Sequence, residues 1–243
     1  PGGSSSGAAA SLLEGSAVLA VVSDTAGSAR MPASLGGVVG LQISAGRWPT
    51  DGVVPVSRTL DTVGLMARSV ADLHMAFTAL DTALSSPAGQ QNSPPVSLAG
   101  MRFGLCDWFL DDVPADILAP FEAAVAELGR AGAAISPLAL PELGGVAGLF
   151  QRGAVFAPEF ASFIASALPE MRPLLEQGIA YWFDRALAVP AADRLAAIAE
   201  MRALRATAAA RTSALDVWIA PTVPGTAPTL AEVATPRDEL AWN

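Results

Sequence analysis

Residues 2–7 read GGSSSG and residues 23–30 read SDTAGSAR, two runs of small, turn-forming residues that leave only positions 8–22 between them. That interval has room for one helix and one strand. AAASLLEGSAVLA, residues 8–20, is a good helix former interrupted at Gly15, and residues 18–22 have the composition of a short buried strand. The chain therefore opens as loop, helix, strand, loop. Loops at element ends are where a scaffold holds reactive groups, and glycine lets backbone N–H groups approach a substrate closely. A Gly/Ser run alone more often means a flexible linker. A second run of small residues follows, with Gly27 placed before Ser28.

Further along, residues 23–27 carry turn chemistry, a short helix begins within 32–35, and residues 38–43 are an apolar strand. Apolar positions at helical spacing, with Ser69 as N-cap and Asp72 three residues later, predict a helix over residues 63–80. Residues 81–98, rich in Ser, Pro and Gln, read as an exposed connection with a subdivision near residue 95. A strand is expected over 101–106, an amphipathic helix over 120–132 closed by Arg130 and Gly132, and strand character after it. Helices dominate 146–214, and a strand at 216–220 runs into the loop APTVPGTAP. The alternation is that of an α/β layer fold.

Composition narrows the function classes. Of 243 residues 52% are hydrophobic, and mean hydropathy is +0.44, yet Gly, Pro, Ser or a charge breaks every apolar stretch. A spanning helix needs about 20 apolar residues, so a membrane span is not expected. The net charge is −9 and all fourteen positive residues are scattered arginines, which leaves no basic stripe for a phosphate backbone. Direct nucleic-acid binding is excluded on that ground. Cys106 and His74 are each single, so neither an internal disulfide nor a usual zinc site is expected, and a cytoplasmic, reducing compartment is the simplest reading. His74 sits on an apolar helical segment as an ordinary core or surface histidine rather than a base.

The two loops together resemble the amidase signature family of serine hydrolases, whose hallmark is a GGSSSG loop followed by a nucleophile loop of the form GTDTGGSIR. Ser4 and Ser28 stand 24 positions apart, the separation that family keeps between relay serine and nucleophile. The resemblance continues through MPASLGGVVGLQISAGR (31–47), GVVPVSRTLDTVGLMARSVADL (52–73) and LDVWIAPTVPGTAP (215–228). It is close over the first 80 residues and general over 95–214.

This likeness implies a mixed central sheet flanked by helices on both faces, in one amidase domain. Residues 1–94 would be the catalytic core, 95–214 the mainly helical substrate-pocket region, and 215–243 a returning strand and cleft loop. It also implies the family's Ser–cis-Ser–Lys triad, without metal or cofactor. A serine hydroxyl must lose its proton as it attacks, so a base must be in reach. In the family a lysine held neutral takes the proton of the relay serine, Ser4 here, which takes that of the nucleophile, Ser28. Such a lysine needs a lowered pKa. These 243 residues contain no lysine. The resemblance places it on a segment before GGSSSG, so the expectation is that residues preceding Pro1 supply it, that a further segment follows Asn243, and that the 243 residues alone are inactive.

Backbone N–H groups of Thr25, Ala26, Gly27 and Ser28 match the family's oxyanion loop. Ser23 and Ala26 replace usual glycines, which the donors survive if position 26 needs no positive φ. Asp24 and Arg30 flank the nucleophile as a charge-assisted pair that supports the loop, with Ser5 beside the relay serine. Gly3, Pro221, Thr222 and Val223 correspond to substrate-binding positions. Phe150, Phe156, Phe160, Phe163, Tyr181, Trp182 and Phe183 fall where the family builds its acyl pocket, although such residues are more often core. Arg47 and Arg58, with Asp61, are expected to hold loops together.

The reaction expected is hydrolysis of a carboxylic amide to acid and amine or ammonia through an acyl-enzyme on Ser28. The partner is then a small-molecule amide, with neither nucleic acid nor membrane, and a homodimer is one compatible assembly. DTAGSAR is also similar to allophanate-hydrolase-like members. Two other readings stand beside this one: the glutaminase of a tRNA-dependent amidotransferase, which would pass ammonia to a partner, and a non-catalytic binding protein on the same scaffold. RMPA and DGVVPVSRTLDT depart from the wording expected of that glutaminase.

Overall fold

In the computed structural model, residues 2–84, 97–111 and 113–234 are described, so the connection expected over 81–98 lies, from 85 to 96, outside the described residues. The chain forms two units. The first comprises Pro1–Asn92, Glu159–Leu187 and Thr226–Asn243. In it the Ser/Gly run turns into α1 (Ser6–Glu14), which ends at Gly15 with φ 84°, a left-handed C-cap that favours glycine. There follow β1 (Leu19–Asp24), α2 (Arg30–Gly36), β2 (Val39–Gln42), β3 (Thr62–Ala67) and α3 (Val70–Leu84). The sheet is antiparallel in the order β1–β3–β2, with Val22 and Gln42 both opposite Gly64.

Strand β3 is the centre of this unit. Met66 packs with Ala9, Leu12, Ala29 and Ala33 under α1 and α2, while Leu65 and Ala67 pack with Ile43, Trp48 and Leu73 under α3. Helices thus cover both faces of the sheet. Burial on both faces removes the period-two alternation of a half-exposed strand, and this is why residues 63–67 read as the start of a helix. They are strand, and the helix begins only at Val70. The N-cap marks the true start: the Asp72 N–H donates to Ser69 Oγ (3.1 Å), whose hydroxyl donates to Asp72 Oδ2 (2.7 Å). Strand β1 is likewise less buried than its composition suggests, since Val21 is exposed, as is Val18 just before it.

Two glycines let α2 lie directly on the sheet. A Cβ on Gly40 would sit 2.7 Å from the Ala33 Cβ, and one on Gly64 would sit 2.8 Å from the Ala29 Cβ and 3.0 Å from the Leu41 carbonyl oxygen. Gly64→Ala is therefore expected to push Ala29 and the adjoining loop outward and to lower stability by about 1–3 kcal/mol, the usual cost of overpacking. Urea unfolding checks this, and an unchanged midpoint would show that α2 yields freely.

The second unit comprises Ser93–Pro158 and Ala188–Gly225. Its sheet is parallel, in the order β5–β4–β6, built from β4 (Arg102–Cys106), α4 (Ala115–Arg130), β5 (Ala134–Leu138), α5 (Glu142–Gln151), the long α8 (Ala191–Thr212) and β6 (Val217–Ile219). Between α5 and α8 the chain forms α6 (Phe156–Ala167) and α7 (Gln177–Leu187), and α9 (Leu230–Ala234) follows β6. Pro137 is tolerated because β5 is an edge strand. Asp216 pins the starts of β4 and β6: Arg102 donates to it from its backbone N–H (2.8 Å) and from Nη2 (2.9 Å). Those bonds hold the Asp216 carboxyl down at about 2. The chain is α/β, and its strands run in both directions, antiparallel in one unit and parallel in the other. Among the described residues no helix is long and apolar enough to cross a membrane.

Candidate active site

The strand that leads to Ser28 ends on a buried acid. Asp24 is fully buried, and its carboxylate organises the whole turn. Oδ1 accepts the Gly27 N–H (2.8 Å) and Arg30 Nη2 (3.0 Å). Oδ2 accepts Arg30 Nε (3.0 Å), the Ala29 N–H (3.1 Å) and the Arg30 N–H (3.4 Å). The Asp24 carbonyl accepts the Thr62 hydroxyl at 2.9 Å, tying the turn to β3. Burial pushes the Asp24 carboxyl upward, but the Arg30 guanidinium and the Gly27 and Ala29 N–H groups outweigh it and hold the group below the usual carboxylate range.

This clamp bends the chain at Gly27, whose φ is 108°. A Cβ there would approach Met31 Cγ to 3.0 Å, so both conformation and space favour glycine. Ser28 follows, half-buried, immediately before Ala29, the N-cap of α2. The Gly27 N–H is engaged by Asp24, so of the four residues expected to supply oxyanion donors the loop leaves the N–H groups of Thr25, Ala26 and Ser28.

The first loop is folded by Ser6, a residue to which sequence reasoning gives no role. The Gly2 N–H donates to Ser6 Oγ (2.8 Å), and the Ser6 hydroxyl donates to the Gly3 carbonyl (2.7 Å). Ser5 supports α1 through its carbonyl, which accepts the Ala8 and Ala9 N–H groups at 3.1 and 3.2 Å. Ser4 lies exposed at the turn between Gly3 and Ser5. Gly2 and Gly3 rest on α2: a Cβ on Gly3 would sit 3.0 Å from Pro32 Cδ, and one on Gly2 would overlap the Leu35 side chain. The loop that carries Ser4 is thus seated on the helix that begins at the Ser28 turn. Among the described residues every peptide bond is trans, the one before Ser4 included, where the resemblance implied a cis bond.

A family model for amidases matches residues 1–242. The chain belongs to the amidase family. It is 41% identical over 239 residues to 2-amino-5-chloromuconic acid deaminase of Comamonas testosteroni, covering 97% of this chain and 50% of that protein. Indoleacetamide hydrolase of Rhizobium radiobacter is 38% identical over 144 residues, which is 59% of this chain and 30% of the relative. A crystallised amidase superposes with a TM-score of 0.81 at 30% identity, over 94% of this chain and 50% of its own. The amidase-family chain thus spans about half the length of the deaminase and of the crystallised amidase.

Other expected site residues of this amidase-family chain fall in several places. Asp61 does support the loop that leads to Ser28, accepting the Thr25 hydroxyl at 2.6 Å. Arg47 does not pair with it: Arg47 Nε and Nη2 donate to Asp81 at 2.7 and 2.6 Å, and Trp48 Nε1 donates to the same acid at 2.8 Å. Asp81 is buried against Trp48, which is why it rather than Asp61 draws the guanidinium. Arg58 and His74 are exposed. Cys106 is fully buried in the second unit with Leu138 and Leu140, and burial raises its thiol pKa, so it has no nucleophilic character.

Of the aromatics, Phe150 and Phe156 pack on each other with centroids 5.1 Å apart. Phe160 and Phe163 are half-buried on α6, Phe183 is buried beneath Arg172, and the Tyr181 hydroxyl accepts from Arg185. The Trp182 side chain is outside the described part of the structure. Pro221, Thr222 and Val223 follow β6 in the second unit, with Thr222 exposed between two half-buried neighbours.

Proposed function

We propose that the protein hydrolyses a carboxylic amide C–N bond, with Ser28 as nucleophile and Ser4 as proton relay. The observation that carries this reading is the buried Asp24 clamp, which presents Ser28 after a left-handed Gly27 while the Ser4 loop is seated on the same helix. Ser28 Oγ attacks the amide carbonyl and passes its proton to Ser4, whose own proton goes to the base. The N–H groups of Thr25, Ala26 and Ser28 stabilise the negative oxygen. Collapse expels the amine, which takes the proton back through Ser4, and water then hydrolyses the acyl-enzyme. The family likeness implies a lysine as the base, and these 243 residues contain none.

Gly3 lies at the relay loop and serves as a backbone contact to substrate. The likeness to the Comamonas deaminase and to indoleacetamide hydrolase makes an unsaturated amino acid of the aminomuconic type and a primary arylacetamide the two substrates to compare. In both, nitrogen leaves from carbon. The reading as an amidotransferase glutaminase is the less supported. We take the protein to act in the cytoplasm on small molecules, without nucleic acid or membrane, and a homodimer is the assembly to test by sedimentation.

Ammonia release from the arylacetamide, the one of the two that carries the carboxylic amide an acyl-enzyme route cleaves, is expected with the full-length protein and not with the 243-residue chain alone. Release by that chain at the full-length rate would show that another group serves as base. No release from either substrate or from simple primary amides, by full-length protein that is folded, would overturn the hydrolase reading.

A further inference from the structure

Residues 56–61 hold two carboxylate-centred clusters that the Ser28 reading does not use. Asp61 Oδ1 accepts the Thr25 hydroxyl at 2.6 Å, and Oδ2 accepts the Val56 and Ser57 N–H groups, both at 2.9 Å. Glu159, on α6, reaches the same segment from about a hundred residues away. Its Oε2 accepts the Ser57 hydroxyl at 2.5 Å and the Thr59 N–H at 3.1 Å, and its Oε1 accepts the Thr59 hydroxyl at 2.5 Å. Ser57 is the joint between the two: fully buried, it donates its N–H to Asp61 and its hydroxyl to Glu159. A continuous path therefore runs from Glu159 through Ser57 and Asp61 to Thr25, three residues before Ser28.

Among the described residues neither Asp61 nor Glu159 forms a salt bridge. Each is satisfied by N–H and O–H donors, all of them from this one segment except the Thr25 hydroxyl. Hydrogen bonds to an ionised acceptor are shorter and roughly twice as strong as neutral ones, so the path is stiff at each step. Asp24 and Arg30 hold the loop from within; this path holds Thr25 from without. Thr25 also begins the run of backbone donors assigned to the oxyanion, where a displacement of about 1 Å can cost on the order of 100-fold in rate.

We infer that Glu159 is a positioning residue for the nucleophile loop, acting through Ser57, Asp61 and Thr25. This rests on the assignment of Ser28 as nucleophile. Glu159 does not touch substrate in this role. It fixes where the first oxyanion donor and the turn before Ser28 stand.

The experiment measures the second-order rate of fluorophosphonate labelling, and kcat and KM for an amide, in the full-length protein. The variants are Glu159→Ala, Glu159→Gln, Thr25→Val and the double variant Glu159→Ala with Thr25→Val, each with its urea midpoint. Glu159→Ala is expected to lower labelling and kcat by about 10-fold or more while KM moves by less than about 2-fold, as loss of transition-state positioning requires. Glu159→Gln should recover most of the rate, since its amide accepts from Ser57 and Thr59 and the Thr59 hydroxyl can turn to accept in exchange. The double variant should lose no more than the worse single one, because both cut the same path. Should Glu159→Ala fail to fold, Thr59→Val removes one Glu159 contact without opening a cavity and is expected to slow labelling several-fold.

Labelling by folded Glu159→Ala within about 2-fold of the parent overturns the inference. So do multiplying losses in the double variant, or a Glu159→Gln that keeps the parental urea midpoint without recovering rate. Ser28→Ala is run alongside: label retained there overturns the nucleophile assignment itself, whereas label lost there with Glu159→Ala unaffected overturns only the role of Glu159.

Discussion

Ser28→Ala is expected to lower kcat for amide hydrolysis by about six orders of magnitude, the scale on which removal of a serine nucleophile acts in a relay. Oγ supplies the covalent bond of the acyl-enzyme, and no neighbouring group on the loop replaces it: Asp24 is buried and saturated by five donors, and Thr25 donates to Asp61. Stability should change by less than about 0.5 kcal/mol, because the substitution removes one half-buried hydroxyl and leaves the backbone clamp in place. Ser4→Ala should fall by a comparable factor, and the double variant little further, since relay members act as a unit. Steady-state kinetics on the full-length protein, beside a urea curve, measure this. Parental turnover in Ser28→Ala would remove Ser28 from the chemistry, and a large loss of stability would make the rate uninterpretable as a catalytic effect.

Asp24→Asn is expected to lower stability at neutral pH by about 3 kcal/mol, the range for breaking a buried ion pair by removing one partner. The amide keeps the shape and one acceptor. Its NH2 then faces the Ala29 N–H and Arg30 Nε, donors that Oδ2 now accepts, and those donors are left without a partner. The pH dependence has a defined sign. Arg30 and the backbone N–H groups hold the folded-state pKa of Asp24 below its ordinary value, so this stabilisation is complete above about pH 4, where the unfolded carboxylate ionises, and is lost as pH falls through the lower folded-state value. Parent and variant should therefore differ fully at about pH 7 and converge in acid. A gap that stays constant down to about pH 2 would show that shape, not charge, makes Asp24 important. Labelling of Ser28 should slow as well, because the Gly27 turn loses its anchor.

How much of this is legible in the sequence follows from how far apart the interacting residues stand. Asp24 and Arg30 are six positions apart, and their pairing, the turn at Gly27 and the two serine loops can be read directly. Ser69 and Asp72 mark a helix start in the same way, although the residues before them carry the apolar spacing of that helix too. The misreading has a physical cause: β3 is buried on both faces, so Leu65, Met66 and Ala67 are all apolar and periodicity carries no information there. Contacts across long separations are not legible. Thr25 meets Asp61 36 positions on, Arg47 meets Asp81 34 positions on, and Ser57 meets Glu159 102 positions on. Sequence proximity puts Arg47 with Asp61, since both lie in one loop-rich stretch; Trp48 decides otherwise by drawing Asp81 into the core. Gly40 looks like an ordinary strand glycine and Gly64 falls in the stretch that reads as helix, and only the seating of α2 on the sheet gives them a reason.

The most direct measurement is to find which serine is activated. The full-length protein is treated with a fluorophosphonate, digested after arginine, and the adduct localised by fragmentation; Ser4 and Ser28 fall in one peptide ending at Arg30, since no lysine or arginine lies between them. The account predicts a single adduct, on Ser28, abolished in Ser28→Ala and slowed in Ser4→Ala. An adduct on any other residue, or none at all in protein that hydrolyses amides, would contradict it.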